Sequence, residues 1–240
     1  MSAQVPTASP VAPPPPVWIL YRAMVGVALV CGFFIVLVFE LTKPVIARNR
    51  AAALEAAILE VLPGAAASRT FAWTGDGFAP VAAGAEEGGA AGGVVHAAWD
   101  GAGDLVGVAV EASSMGYQDT LTMLYGYSFE RRAIVGLRVL ESRETPGLGD
   151  RIETDPAFRA NFETLDVSLA GEGASARIAN PIVAVKQGEK TEPWEIDGIT
   201  GATISSVAVA AALRASTATW IARLAAAEET LRAAGPRGDT

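Results

Sequence analysis

From Val17 to Leu41 almost every position is apolar, and Ala23–Phe39 contains no charged residue. A run of about 20 such residues crosses a hydrocarbon core of roughly 30 Å, so the pattern predicts a transmembrane helix over 17–41. Trp18 and Tyr21 stand where interfacial aromatics belong, and Arg22 and Lys43 are long enough to snorkel. A cleaved signal peptide fits less well. The start is uncharged and proline-rich, and Glu40-Leu41-Thr42-Lys43 is a poor small-residue cleavage site. Over 42–63 the apolar positions thin to Val45, Ala52, Leu54, Ile58, Leu59 and Leu62, the spacing of an amphipathic connecting helix, which Pro63-Gly64 ends.

Beyond residue 63 the period shortens. The segment 64–98 is variable and loop-rich, with one or two strands within Ala72–His96 and a glycine- and alanine-rich stretch at Gly75–Gly93. Leu105–Glu111 has the character of a strand. Leu121–Phe129 and Ile134–Leu140 flank Glu130-Arg131-Arg132 as a hairpin, Ile178–Lys186 is a further strand, and Val207–Leu224 is a helix. Strands followed by a long closing helix define an α+β domain over 99–226, with a twisted antiparallel sheet packed on helices. The proline-rich tail 1–16 is expected to be disordered, as are the last residues, Gly235–Thr240, of a C-terminal tail over 227–240.

At 240 residues the chain has room for one anchor and one globular domain. A formal net charge of −8, with no basic patch, argues against nucleic acid as a partner. The single cysteine, Cys31, lies in the apolar segment, so no intramolecular disulfide is possible. A Ser/His/Asp triad would have to use His96, the only histidine, which stands beside the glycine-rich stretch as a solvated loop residue. No Cys/His/Asp cluster has metal-ligand spacing, and neither a Walker loop nor a GxGxxG after a strand occurs. Glu141, Glu144, Asp150 and Glu153 have the pattern of a solvated face rather than a catalytic pair.

Two segments carry more specific chemistry. Asp197-Gly198-Ile199-Thr200-Gly201-Ala202-Thr203-Ile204-Ser205-Ser206 places four hydroxyls and two glycines at the start of the closing helix. Two readings fit. Thr203, Ser205 or Ser206 can be an ordinary N-cap. Alternatively the first backbone amides, which lack intrahelical partners, hold a phosphate, with Gly201 and Ala202 small enough for a bulky ligand to approach. Glu144-Thr145-Pro146-Gly147-Leu148-Gly149-Asp150 is a proline-glycine turn after a strand, in which Gly149 adds a point where backbone can lie against a flat ligand.

Together, in this order and spacing, the two segments resemble the signatures of the G subunit of the Rnf electron-transport complex. The C subunit of the sodium-translocating NADH:quinone reductase carries the same flavinylation motif. Leu41-Thr42-Lys43-Pro44, Val61-Leu62-Pro63, Gly116-Tyr117 and Phe158–Phe162 extend the likeness over most of the chain. The tail Met1–Pro16 and the stretch Gly75–Gly93 fall outside it.

The resemblance implies a domain with covalent FMN, attached through its phosphate to Thr203. Thr200, Gly201 and Ala202 then shape the phosphate end. Glu144, Thr145, Pro146, Gly147 and Leu148 form a wall against the ring. Asp197 serves recognition by a flavin transferase or a metal used during transfer. Lys186 either places positive charge near the reduced flavin or is an ordinary strand-end lysine. The implied partners are the lipid bilayer, the transferase and the other membrane subunits of an electron-transport complex.

Lys43, Arg48 and Arg50 follow the apolar helix and, by the positive-inside rule, would keep the domain in the cytoplasm. The resemblance places it instead on the periplasmic side of the inner membrane, anchored by a single pass. The function implied is electron relay within an ion-coupled complex rather than stand-alone catalysis. A structural or docking subunit that keeps the fold without using flavin, and a separate extracytoplasmic flavoprotein, are the alternatives.

Overall fold

The computed structural model describes residues 16–81, 93–171 and 176–236. Most of the proline-rich tail, much of the glycine-rich stretch and the last four residues lie outside them. The chain forms two units, residues 1–50 and 51–240. One helix, α1 (Val17–Val61), begins in the first and ends in the second. In the first unit its large apolar side chains, from Val17 to Phe39, are exposed. Pro44 sits inside this helix rather than at the head of a second one. The Thr42 hydroxyl, 2.8 Å from the Val38 carbonyl and 3.2 Å from that of Phe39, occupies backbone acceptors in the turn before the proline.

The second unit is built on a sheet. Its strands are β1 (Ala67–Trp73), β2 (Phe78–Pro80), β3 (Val94–Trp99), β4 (Leu105–Met115), β5 (Thr120–Ser128) and β6 (Ala133–Glu141). Two short helices follow, α2 (Arg151–Thr154) and α3 (Pro156–Ala160), and then β7 (Leu165–Asp166) closes the edge. The spatial order is β2-β1-β3-β4-β5-β6-β7, antiparallel throughout. Two small ribbons complete the fold: β8 (Leu169–Ala170) with β9 (Arg177–Ile178), and β10 (Val183–Val185) parallel to β11 (Glu195–Asp197). The closing helix is α4 (Thr203–Ala234). The expected α+β architecture, an antiparallel sheet packed on helices after a long apolar helix, is what the chain adopts.

Alternation along the central strands assigns the two faces. Ala97, Trp99, Val108, Val110, Met123 and Tyr125 join Val209, Leu213, Ile221 and Leu224 of α4 in one core. The intervening Ala98, Ala109 and Leu124 join Ala57, Ile58, Val61 and Leu62, at the end of α1, in another. The middle of the sheet is therefore buried on both sides, which is why β4 and β5 are apolar almost continuously rather than alternating with polar residues.

Glycine makes the second layer possible. Gly126 and Gly136 face each other across β5 and β6, and a Cβ on either would run into the Val61 carbonyl. A Cβ on Gly107, in β4, would lie 2.8 Å from Leu62 Cδ2. The end of α1 thus rests directly on backbone. Glu60, beside this contact, pairs with Arg138 of β6 and with Arg159 of α3 at 2.9 Å.

Some local readings differ. The strand expected over Ile178–Lys186 is two, because Asn180-Pro181 separates β9 from β10 and proline cannot supply a ladder donor. The hairpin at Glu130-Arg131-Arg132 is present, with Arg132 at φ 50°. The strand expected over Leu105–Glu111 continues to Met115, and the closing helix starts four residues earlier and runs ten further than its apolar pattern. His96 is not a loop residue. It lies buried in β3, with Nδ1 3.0 Å from the Thr70 hydroxyl.

Gly126→Val should lower the unfolding free energy of the full chain by at least about 1–3 kcal/mol, the range for overpacking a filled site. Gly101→Ala, where no heavy atom lies within 4 Å, should change it little. Urea unfolding monitored by tryptophan fluorescence compares the two, and equal effects would contradict the account of the α1 seat.

Candidate functional site

The two sequence motifs meet at the start of α4. Glu144 comes three residues after the end of β6 and is 7% exposed, with its carboxylate turned inward. Its Oε2 accepts a hydrogen bond from the Ser205 hydroxyl at 2.6 Å. Its Oε1 accepts from the backbone amides of Tyr117 at 2.9 Å and Gln118 at 3.1 Å, in the turn between β4 and β5. Gly116 and Gly149 flank the carboxylate so closely that a Cβ on either would strike one of its oxygens. The reading of Glu144 and Asp150 as part of a solvated face is therefore corrected. Glu144 is buried, and Asp150 is half-buried with an enclosed Oδ1, because the Pro146-Gly147 turn folds this segment onto α4.

Thr145 is half-buried, while Pro146, Gly147 and Leu148 are exposed. Gly147 takes φ +79° and Gly201 φ +89°, values that favour glycine. Leu148 Cδ2 lies 3.8 Å from where a Gly201 Cβ would be, so the two loops lie side by side. Arg151 adds a second tie, donating to the Thr200 carbonyl at 3.1 Å and to Asp155 at 2.8 Å.

At the helix start none of the candidate hydroxyls is a cap. The N-cap position is Ala202, with no side-chain bond to the first turn. Ser206 Oγ donates back to the Ala202 carbonyl at 3.0 Å and accepts from the Ile199 amide at 3.1 Å. Ser205 is committed to Glu144. Thr203 is exposed. The amides of Thr203, Ile204 and Ser205 precede the first i→i−4 bond, Ser206 N–H to Ala202 O, and so have no partner within the helix. An exposed hydroxyl beside free amides and the positive end of a 32-residue helix suits a phosphate ester.

Behind this turn, buried Asn161 holds Asp197 by both backbone groups, accepting from its N–H at 3.0 Å and donating to its carbonyl at 3.2 Å. Asn161 Oδ1 also accepts from Lys190 Nζ at 3.1 Å, and burial holds the Lys190 ammonium below its usual range, against the pull of Asp197 and Glu195. The Asp197 carboxylate accepts from the Gly188 amide at 2.6 Å and so braces the β10–β11 connection. Lys186, just past β10, is exposed. Sequence reasoning missed Ser205, Ser206, Arg151 and Asn161. The hydroxyls were visible only as possible caps, and nothing local marks an asparagine 36 residues from its partner.

The fold has counterparts among known proteins. Residues 116–218 match the family model of the FMN-binding domain, and residues 23–61 match that of the RnfG N-terminal region. The resemblance to the G subunit of the Rnf complex is thereby borne out.

The chain is 35% identical over 120 residues to the G subunit of an ion-translocating oxidoreductase complex of Methanosarcina acetivorans, covering 49% of this chain and 53% of that protein. It is 34% identical over 114 residues to the Erwinia tasmaniensis protein of the same name, covering 47% and 48%. The chain thus spans about half the length of these curated relatives. Among solved structures it resembles NqrC of Shewanella oneidensis, with a TM-score of 0.56 at 15% identity over 78% of this chain and 99% of that one. It also resembles the C subunit of the Na(+)-translocating NADH-quinone reductase from Parabacteroides distasonis, with a TM-score of 0.57 at 20% identity over 74% and 94%. At these identities the likeness concerns the fold.

The Phe158 amide foremost, with the Arg151 guanidinium and the Ala157 amide, holds the Asp155 carboxyl below the usual carboxylate range. A carboxyl depressed by folding stabilises fully above its unfolded value, about 4, and stops doing so as pH falls through the lower folded value. Acid titration of the unfolding free energy should therefore show wild type losing stability below about pH 4. Asp155→Asn should have a shallower slope there, and an unchanged slope would remove Asp155 from the account.

Proposed function

We propose that this chain is an FMN-carrying electron-transport subunit of a membrane-bound, ion-translocating oxidoreductase complex, with FMN esterified through its phosphate to Thr203 Oγ. The observation that carries this reading is the exposed Thr203 hydroxyl, at an uncapped helix start beside the Leu148 loop. The free first-turn amides receive the phosphate oxygens, and the left-handed glycine at 201 leaves the approach open. Outside the apolar helix the setting is also right for a flat ring. In the second unit the exposed large apolar side chains among the described residues are Leu59, Met115, Tyr117, Leu148, Ile204 and Val207. All but Leu59 lie on the three segments that the Glu144 carboxylate joins. Bound FMN supplies one- and two-electron chemistry, while the protein supplies position, electrostatics and exclusion of water.

The first unit supports membrane anchoring. α1 is long and apolar enough to cross a bilayer, with a mean hydropathy of 2.6 over its best window and none of that window buried. Apolar area of this size is satisfied by lipid tails. α4 also passes the length and composition test, but half of its window is buried, as a core helix requires. The globular unit is assigned to the outer face of the inner membrane, and its partners are the neighbouring membrane subunits and a flavin transferase.

Thr203→Ala, expressed with a flavin transferase, should lose completely both the in-gel flavin fluorescence and the added mass of one FMN, whereas Thr200→Ala should keep them. Fluorescence that persists in Thr203→Ala would falsify the attachment. An intact complex in which the wild-type chain carries no flavin would instead select the docking role. For orientation, a cysteine at exposed Ala102 should react with a membrane-impermeant maleimide in intact cells. Labelling confined to inverted vesicles would place the domain in the cytoplasm.

A further inference from the structure

We propose that Glu144 is a positioning residue. Its carboxylate locks the first turn of α4 in the rotation that presents the Thr203 hydroxyl outward, ready for esterification. This deepens the attachment reading and rests on it.

The carboxylate gathers three segments that are distant in sequence. Tyr117 and Gln118 are 27 and 26 residues away, and Ser205 is 61. Both oxygens are used, and all three contacts are donors to it. Among the described residues no lysine or arginine pairs with Glu144. A buried carboxylate without a cation is costly unless hydrogen-bonded, and such a group is weak evidence for stability as its purpose.

The geometry points to what the contact does instead. Successive helical residues are about 100° apart, so Thr203 and Ser205 point about 200° apart around the helix axis. Ser205 is 2% exposed and bonded inward. Thr203, on the opposite side, is consequently directed out. Ala202 makes no side-chain cap that could set this rotation in its place. The same carboxylate fixes the Tyr117 backbone and the start of the Leu148 loop, so one group registers the hydroxyl against both flanking loops. The backbone is moulded to it at Gly116 and Gly149, where a Cβ has no room.

Forming the ester needs a phosphoanhydride flavin donor. The Thr203 Oγ–P bond forms and the anhydride P–O bond breaks. The second nucleotide leaves as a monophosphate, and the hydroxyl proton passes to solvent. Glu144 does not touch these atoms; it acts through Ser205.

The test uses the full chain in detergent with flavin adenine dinucleotide and a flavin transferase, following covalent fluorescence over time. Ser205→Ala removes one hydroxyl, and Glu144→Gln replaces an acceptor with a group that turns donors toward the Tyr117 and Gln118 amides. A hydrogen bond to a charged partner corresponds to roughly ten- to hundredfold. Ser205→Ala should therefore lower the maximal incorporation rate about tenfold or more, with the half-saturating transferase concentration unchanged. Glu144→Gln should lower it at least as far. The double variant should be no slower than Glu144→Gln, since both changes break one contact.

Wild-type rates in Ser205→Ala would overturn the proposal, as would effects that multiply in the double variant. If Glu144→Gln does not fold, Ser205→Ala alone decides. Thr203→Ala serves as the blank. A wild-type chain that stays unlabelled would overturn the attachment itself, which separates that failure from this one.

Discussion

A buried carboxylate must find donors or unfold its surroundings, and in this domain the donors come from segments distant in sequence. The turn between β4 and β5 offers two amides, and the first turn of α4 offers one hydroxyl. Glu144 stands between them at the end of β6. The Pro146–Gly149 loop, the Tyr117 turn and the helix start therefore form one body. The Arg143–Asp119 pair and the Arg151 bond to the Thr200 carbonyl reinforce the same junction.

The scaffold behind it obeys a second rule, that a sheet buried on both faces needs a layer on each. α4 covers one side with small and branched residues, and the last turns of α1 cover the other. The second layer sits unusually close because Gly107, Gly126 and Gly136 present no side chains beneath Val61 and Leu62. Glycine weakens a strand, by entropy and by the missing side chain. Here that loss is offset by direct contact between helix and backbone. Central strands held from both sides give the loops at the site a stiff base.

Function follows from a division of labour among hydroxyls in one short segment. Ser206 satisfies the backbone around Ala202, Ser205 satisfies Glu144, and Thr203 is left facing out with the first amides of a long helix. Such a hydroxyl can carry a phosphate-linked group without giving up a structural bond. On the proposed reading, the apolar side chains nearby would meet a flat ring rather than water.

Much of this was legible from one dimension. The long apolar helix that begins at Val17 reads from composition. The hairpin of β5 and β6 and the closing helix read from periodicity, and the two motifs from their residues. The sequence could not show which way Glu144 points, since a carboxylate on a proline-glycine turn looks solvated until its donors, up to 61 residues away, are brought in. Nor could it show that His96 lies inside β3, or that Asn161 holds Asp197. Short-range order is written in the spacing of neighbouring side chains. The roles of Ser205, Glu144 and the three glycines depend on contacts between remote segments, and these exist only once the sheet has closed.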